Sequence, residues 1–212
     1  MSKAKYVVID GLIGSGKSQL AQHISKQNKG RLILDQVDNP FKRQFLKDVS
    51  RGESENSLKT QLIYLINRYN QQQELMQKNL FTTLTVSDYL FHRDAIFAHI
   101  VLNDEDLDIY KKIYQTFTEK IRKPDLVVYL QTSFAEMLRR IQSNEDDVVR
   151  RVPAEFWREI FEAFNYYFFN YKATPLLVVN MERVDVSSPR DLDNLWLEID
   201  KHQAGTRYYA PG

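Results

Sequence analysis

The 212-residue sequence predicts an α/β fold, a parallel sheet with helices on both faces. Two observations carry the prediction. Short, continuously apolar, β-branched runs alternate with stretches of helical periodicity, the pattern of strands buried on both faces. Between the first such run and the first helical stretch lies Gly11-Leu12-Ile13-Gly14-Ser15-Gly16-Lys17-Ser18, which satisfies Gly-x4-Gly-Lys-Ser in full.

The elements follow in order. Tyr6–Asp10 is the first strand, and Lys17 opens a helix to about Asn28. Arg31–Asp35 is the second strand, and Asn39-Pro40 opens a short helix in the order typical of helix starts. Leu58, Leu62, Leu65 and Tyr69 repeat at helical spacing in a long helix reaching about Lys78. Thr82–Ser87 is the third strand. Two helices follow, the second seeded by Asp104-Glu105 and stopped by Lys123-Pro124-Asp125. Leu126–Leu130 is the fourth strand, with a helix through Leu138 and Ile141 after it. The polar segment Ser143–Asp147 interrupts the pattern, Pro153 starts a helix rich in Phe and Tyr, and Leu176–Asn180 is the fifth strand. Residues 1–204 read as one domain and residues 205–212 as a tail.

Composition narrows the function classes. A net charge of +1 with 27% charged residues gives no basis for bulk nucleic-acid or membrane binding. There are no cysteines, which removes disulfides and zinc–thiolate sites and fits a reducing compartment. With no apolar run long enough to span a bilayer and no room for a signal sequence before the first strand, the expectation is a soluble cytoplasmic protein.

The glycine motif is a phosphate cradle. Its glycines let successive backbone N–H groups converge on phosphate oxygens, and the following helix presents its positive end there. In such loops the lysine, here Lys17, reaches the β- and γ-phosphates, and the hydroxyl, here Ser18, is a Mg²⁺ ligand. The expected ligand is a nucleoside triphosphate, ATP first among them. Open parallel sheets bind their ligands at the carboxyl ends of the strands. There the sequence places Asp10, read as structural because it abuts the loop, with Asp35 and Asp88 as candidates to take a proton from an attacking hydroxyl. Helix or turn capping remains the other reading for both. Gln61, Tyr64 and Arg68 share one face of the long helix, away from its leucine stripe. An amide and a guanidinium can read a base edge, although from spacing alone a solvated polar face is the better reading.

Taken in order, these segments resemble the deoxynucleoside kinases, particularly the bacterial deoxyadenosine/deoxyguanosine branch. The resemblance spans most of the chain: Gly11–Ser18, Asp35-Gln36-Val37-Asp38-Asn39-Pro40-Phe41, Gln61–Arg68, Ser87–Asp94, Lys123–Leu126, Met137–Gln142 and Lys172–Pro175. It implies a P-loop kinase fold with a five-stranded sheet in order 2-3-1-4-5, helices on both faces and a short lid. It further implies Mg²⁺- and ATP-dependent phosphorylation of a deoxynucleoside 5′-hydroxyl, in a homodimer. Position by position, Asp35 falls where the family has its glutamate base, Gln61 matches the base-reading glutamine, and Arg68 with Asp94 match the pair beside it. That pair bonds amino and ring-nitrogen groups of adenine, guanine or cytosine and tends to be lacking in thymidine-preferring relatives, so the expected acceptor is a purine deoxynucleoside, ahead of deoxycytidine. Asp88 matches the acidic first position of the Glu/Asp-Arg-Ser motif, near Mg²⁺ and the reacting hydroxyl.

The departures define what the structure must answer. Asp35 is one methylene shorter than glutamate. The motif arginine and serine are Tyr89 and Leu90, so Arg93 is the candidate to supply the charge from the next turn. The lid reads Ser143-Asn144-Glu145-Asp146-Asp147, acidic where basic is expected. Arg140 at its start, and Arg150 and Arg151 at its end, are the candidates to face the phosphates, or else Arg150 and Arg151 merely solvate the far side. The sugar-binding tyrosine common near position 46 is Leu46 here, which leaves Asp147 or Asp146 for the 3′-hydroxyl. Two other readings stay open: a deoxynucleoside-monophosphate kinase, and a catalytically inactive nucleotide-binding subunit. The aromatic helix from Phe156 to Phe168 is chiefly core, with a dimer face as a further use.

Overall fold

The computed structural model describes residues 5–35, 39–76 and 83–211. Six parallel strands form one sheet in the order β2-β3-β1-β4-β5-β6. They are β1 (Lys5–Gly11), β2 (Arg31–Ile33), β3 (Leu84–Ser87), β4 (Leu126–Gln131), β5 (Leu176–Asn180) and β6 (Thr206–Tyr209). The expected order 2-3-1-4-5 holds for the first five; the number of strands does not. The sixth corrects the expectation of a five-stranded sheet and of a C-terminal tail from Gly205 onward. Thr206–Tyr209 pairs with Leu176–Val179 in register, and the Leu176 N–H donates to the Gly205 carbonyl at 2.9 Å. Its burial is slight on both faces, so the segment Thr-Arg-Tyr-Tyr carries no apolar run for sequence reading to find.

Nine helices connect the strands among the described residues: α1 (Lys17–Gln27), α2 (Lys42–Ser50), α3 (Ser57–Met76), α4 (Arg93–Val101), α5 (Asp104–Thr118), α6 (Phe134–Gln142), α7 (Asp147–Arg151), α8 (Ala154–Phe169) and α9 (Pro189–Lys201). Helix α9 is additional to the elements expected from the sequence. Its signal is nonetheless present: Ser188 caps the Asp191 N–H, with Pro189 at the first helical position. Helix α5 ends at Thr118, before the Lys123-Pro124 stop that was expected. The expected start of β3 at Thr82 lies outside the described residues.

Two cores sandwich the sheet. Val7 and Ile9 of β1 point into one with Leu20 and Ile24 of α1 and Leu192, Leu195 and Ile199 of α9. Tyr6 and Val8, on the other face, join Phe45 of α2, Met137 of α6 and Ile160, Phe164 and Phe168 of α8. A third cluster, around Leu65, Phe91 and Tyr110, binds α3, α4 and α5 into a bundle beside the sheet. The alternation along β1 is the period-2 consequence of the pleat, with both sides apolar because both sides are covered.

The sixth strand protects the β5 edge. Deleting residues 205–212 removes a four-residue ladder, which at about 1 kcal/mol per hydrogen bond costs roughly 2–4 kcal/mol. The expected outcome is a fall in Tm of about 5–15 °C by calorimetry. An unchanged Tm would show that the strand is peripheral.

Candidate active site

The phosphate loop leaves β1 at Gly11 and enters α1 at Lys17. Its conformation needs glycine at two positions. Gly14 and Gly16 have φ of 74° and 87°, the left-handed region that side chains disfavour. A Cβ on Gly16 would also lie 2.4 Å from Val186. The Ser15 N–H donates to the Leu12 carbonyl at 3.1 Å, while the buried Ser15 hydroxyl has no partner among the described residues. The first-turn N–H groups of α1 have no helical acceptors by construction. A concave row of unsatisfied donors at a helix N-terminus fits an anion.

Asp88, just beyond β3, ties the loop to the acceptor side. Its carboxylate accepts from the Ser18 hydroxyl at 2.5 Å and from the Asp35 backbone N–H at 2.6 Å. Ser18 gives its proton to Asp88, which leaves its lone pairs for a cation. Among the described residues no cluster of three His, Cys, Asp or Glu side chains forms a metal site of its own. Ser18 and Asp88 fit Mg²⁺ in the manner of a cation held by few protein groups together with substrate phosphates.

Asp10 is fully buried. It accepts from the Gly11 N–H at 2.6 Å and the Leu90 N–H at 3.0 Å, and pairs with the Arg93 guanidinium. Burial pushes its carboxyl above the ordinary range, and Arg93 and the two N–H groups draw it back. Arg93 also donates to the Gly11 carbonyl at 3.3 Å. Its charge therefore stands at the base of the loop, where it lowers the Lys17 ammonium after burial has done so. Tyr89, in the motif-arginine position, is buried with its ring 5.3 Å from the Arg68 guanidinium.

A cavity of about 280 Å³ opens beside the loop. Lys17, Asp35, Gln61, Tyr64, Arg68, Arg93 and Asp94 line it together with Leu12 and Ile13, so predicted residues from the phosphate loop, the start of α1, the segment after β2, α3 and α4 converge. Arg68 is the hub. Its Nε and Nη2 donate to both oxygens of Asp35 at 2.7–3.0 Å, and its Nη1 pairs with Asp94. Tyr64 lies 5.1 Å from the same guanidinium. Burial opposes ionisation of Asp35, but Arg68 outweighs it and holds the carboxyl at about 2. Asp94 Oδ2 is buried with no hydrogen-bond partner among the described residues. The apolar wall was missed from the sequence: Phe45 and Leu46 of α2, Phe97 of α4, Met137 of α6, Val149 of α7, and Trp157 and Ile160 of α8, with Lys42 at the rim. These residues read as ordinary core stripes, and only proximity to the loop sets them apart.

The lid candidates divide. Arg140 lies on the loop: its Nη1 donates to the Gly14 carbonyl, and its side chain fills the space a Gly14 Cβ would take. Arg150 instead donates to the carbonyls of Asn144 and Glu145, and Arg151 pairs with Asp147 at 3.3 Å. Asp146 and Asp147 do not line the cavity; they pair with Arg43 of α2 at 3.2 and 3.1 Å. The acids of this lid thus latch it to α2. Each exposed pair is worth under about 1 kcal/mol, so Arg43→Ala should move Tm by less than about 3 °C. It should nonetheless raise the acceptor KM several-fold in steady-state kinetics, because the lid then loses its hold on the wall of the cavity. An unchanged KM would disconnect the latch from the site.

A phosphate loop beside a cavity with a polar cluster set in an apolar wall is the layout of a P-loop kinase, with one side for the phosphates and one for a second ligand. The deoxynucleoside kinase family model matches residues 7–202. The deoxyguanosine kinase of Bacillus subtilis (strain 168) is 28% identical over 162 residues, 76% of each chain. The deoxyadenosine kinase of Lactobacillus acidophilus is 24% identical over 92% of this chain and 94% of its own. Among solved structures, a deoxyadenosine kinase from M. mycoides with products dCMP and a flexible dCDP bound superposes with a TM-score of 0.77 at 22% identity, covering 92% of this chain and 98% of that one. The chain belongs to the deoxynucleoside kinase family, and it is a kinase.

Proposed function

We propose that the protein transfers the γ-phosphoryl group of ATP, with Mg²⁺, to the 5′-hydroxyl of a deoxynucleoside, with deoxyadenosine and deoxyguanosine preferred to deoxycytidine. The observation that carries this reading is the convergence of Gln61, Arg68 and Asp94 with Asp35 and Lys17 on one cavity. Gln61, Arg68 and Asp94 offer an amide, a guanidinium and an unpartnered carboxylate oxygen to a base edge. Asp35 takes the hydroxyl proton, Asp88 orients Ser18 and the Asp35 backbone, and Lys17, Arg93 and Arg140 hold positive charge around the transferred group. Bound Mg²⁺ supplies neutralisation of phosphate charge.

The preference for a nucleoside over a monophosphate acceptor rests on the cations of the cavity. Arg68 is committed to Asp35 and Asp94, and Arg93 to Asp10. Among the described residues, each arginine lining the cavity is thus already charge-paired with a carboxylate, which disfavours the added dianion of an acceptor phosphate more than a neutral base edge. The test is incubation with Mg-ATP and each of the four deoxynucleosides, then with their monophosphates. Transfer to the purine deoxynucleosides is expected, and transfer to monophosphates alone overturns the reading. The exposed Tyr166 and Phe169 of α8 support a homodimer, checked by analytical ultracentrifugation.

A further inference from the structure

Arg68 serves two carboxylates at once, and the proposed roles of those carboxylates lie at opposite ends of the acceptor. Asp35 follows β2 and stands with Lys17 in the cavity; Asp94 is in the first turn of α4. The fork formed by Nε and Nη2 is closed on Asp35, both of whose oxygens are engaged. The third corner, Nη1, is on Asp94. The Asp35 main chain is anchored by its N–H on the Asp88 carboxylate, so its side chain starts from a fixed point and is held at its far end, among the described residues, by Arg68 alone. A carboxylate held in this way is a poor proton acceptor, and its position at about 2 agrees with the geometry.

The two bridges differ in one respect. Asp94 keeps a buried oxygen without a hydrogen-bond partner among the described residues, whereas both Asp35 oxygens are engaged. An unpartnered buried acceptor is costly and calls for a donor. The ligand that answers it presents an amino group to Asp94 and, beside it, a ring nitrogen to Arg68, as an aminopurine does. Such an edge draws the guanidinium towards Asp94 and adds an acceptor that competes with Asp35 for its N–H groups. Resting on the acceptor site proposed above, we propose that Arg68 is a positioning residue that couples base recognition to catalysis. It holds Asp35 closed in the free protein and releases it when an amino-bearing base engages Asp94. Discrimination between bases then falls on kcat as well as on KM, since the wrong base leaves the proton acceptor clamped.

Two measurements test this. The first compares deoxyadenosine with purine 2′-deoxyriboside, which lacks only the 6-amino group, at saturating Mg-ATP and acceptor. The expected result is a kcat at least tenfold lower for the analogue, with the ratio collapsing towards one in Arg68→Lys, whose single ammonium cannot clamp both carboxylates. Equal kcat values in the wild type, with only KM raised, would mean that Arg68 merely binds the base, and the proposal falls while the kinase reading stands. Transfer to neither acceptor, nor to any other deoxynucleoside, overturns both. The second is a crystal structure of the full chain with deoxyadenosine alone. It should show the Arg68–Asp35 fork opened beyond hydrogen-bond distance and Arg68–Asp94 retained; an intact fork overturns the proposal whatever the kinetics.

Discussion

Arg93→Met is expected to destabilise the protein by about 3–5 kcal/mol at neutral pH, because it strands a buried carboxylate. Asp10 has no exposure, and Arg93 is its only side-chain partner among the described residues. Its two backbone N–H donors, from Gly11 and Leu90, do not balance a full charge. The pH dependence identifies the cause. Burial already raises the Asp10 carboxyl in the folded protein, and removing the guanidinium raises it further. A carboxyl with a raised folded pKa is held protonated more tightly in the folded than in the unfolded state. Its penalty is therefore small below the ordinary carboxylate range and grows as pH rises above it. Urea unfolding at pH 7 and near pH 5 should show the gap between Arg93→Met and wild type narrowing at the lower pH. Adding Asp10→Asn should recover much of the loss at pH 7. A small deficit, indifferent to pH, would mean that Arg93 acts chiefly through its contacts with Phe97 and Phe164.

The same pair puts a cation at the base of the phosphate loop in a chain that has Tyr89 where the family motif has arginine. Position 89 is Tyr89, packed under Arg68, and the guanidinium arrives four residues later from the first turn of α4. It can do so because Asp10 is there to hold it. The sequence made both residues visible but not their partnership, since an aspartate at position 10 and an arginine at position 93 meet only through the parallel pairing of β1 with β3.

Legibility varied with how local each signal was. Strands β1, β4 and β5 were readable because each is a run of residues buried on both faces; β6 was not, because it is polar and borrows its order from the β5 edge. The phosphate loop was readable because backbone geometry demands glycine at Gly14 and Gly16. Gln61, Tyr64, Arg68 and Asp94 could be named from spacing and resemblance, and all line one cavity. The wall formed by Phe45, Phe97 and Trp157 could not, because an apolar residue facing a ligand and one facing a neighbour have the same periodicity. The acids of the lid were legible as an anomaly only. Their partner, Arg43, lies some hundred residues away on α2, and a long-range ion pair leaves no local pattern.

Asp35→Asn should lower kcat by about 10²–10⁴-fold, the usual contribution of a positioned general base, while leaving the fold nearly as stable as before. The two effects separate because the site has two carboxylates for one guanidinium. Arg68 keeps Asp94 when Asp35 becomes an amide, and the asparagine oxygen still accepts from the Nη2 corner. No buried charge is left alone, in contrast to Arg93→Met, so the stability cost should stay near 1 kcal/mol. Acid titration adds a second signature. In the wild type the Asp35 carboxyl is held at about 2 in the folded state, first against burial and then by Arg68. Because that folded pKa lies below the unfolded one, the stabilisation it contributes is present above pH 4 or so and is lost as pH falls towards 2. Asp35→Asn lacks a group that titrates in this window, so its stability should fall less steeply there than that of the wild type. Single-turnover kinetics with urea unfolding at matched pH would measure both. If the amide variant transferred phosphate at the wild-type rate, the base would have to be sought at Asp88, and the bridge from Asp35 to Arg68 would be a support for base recognition alone.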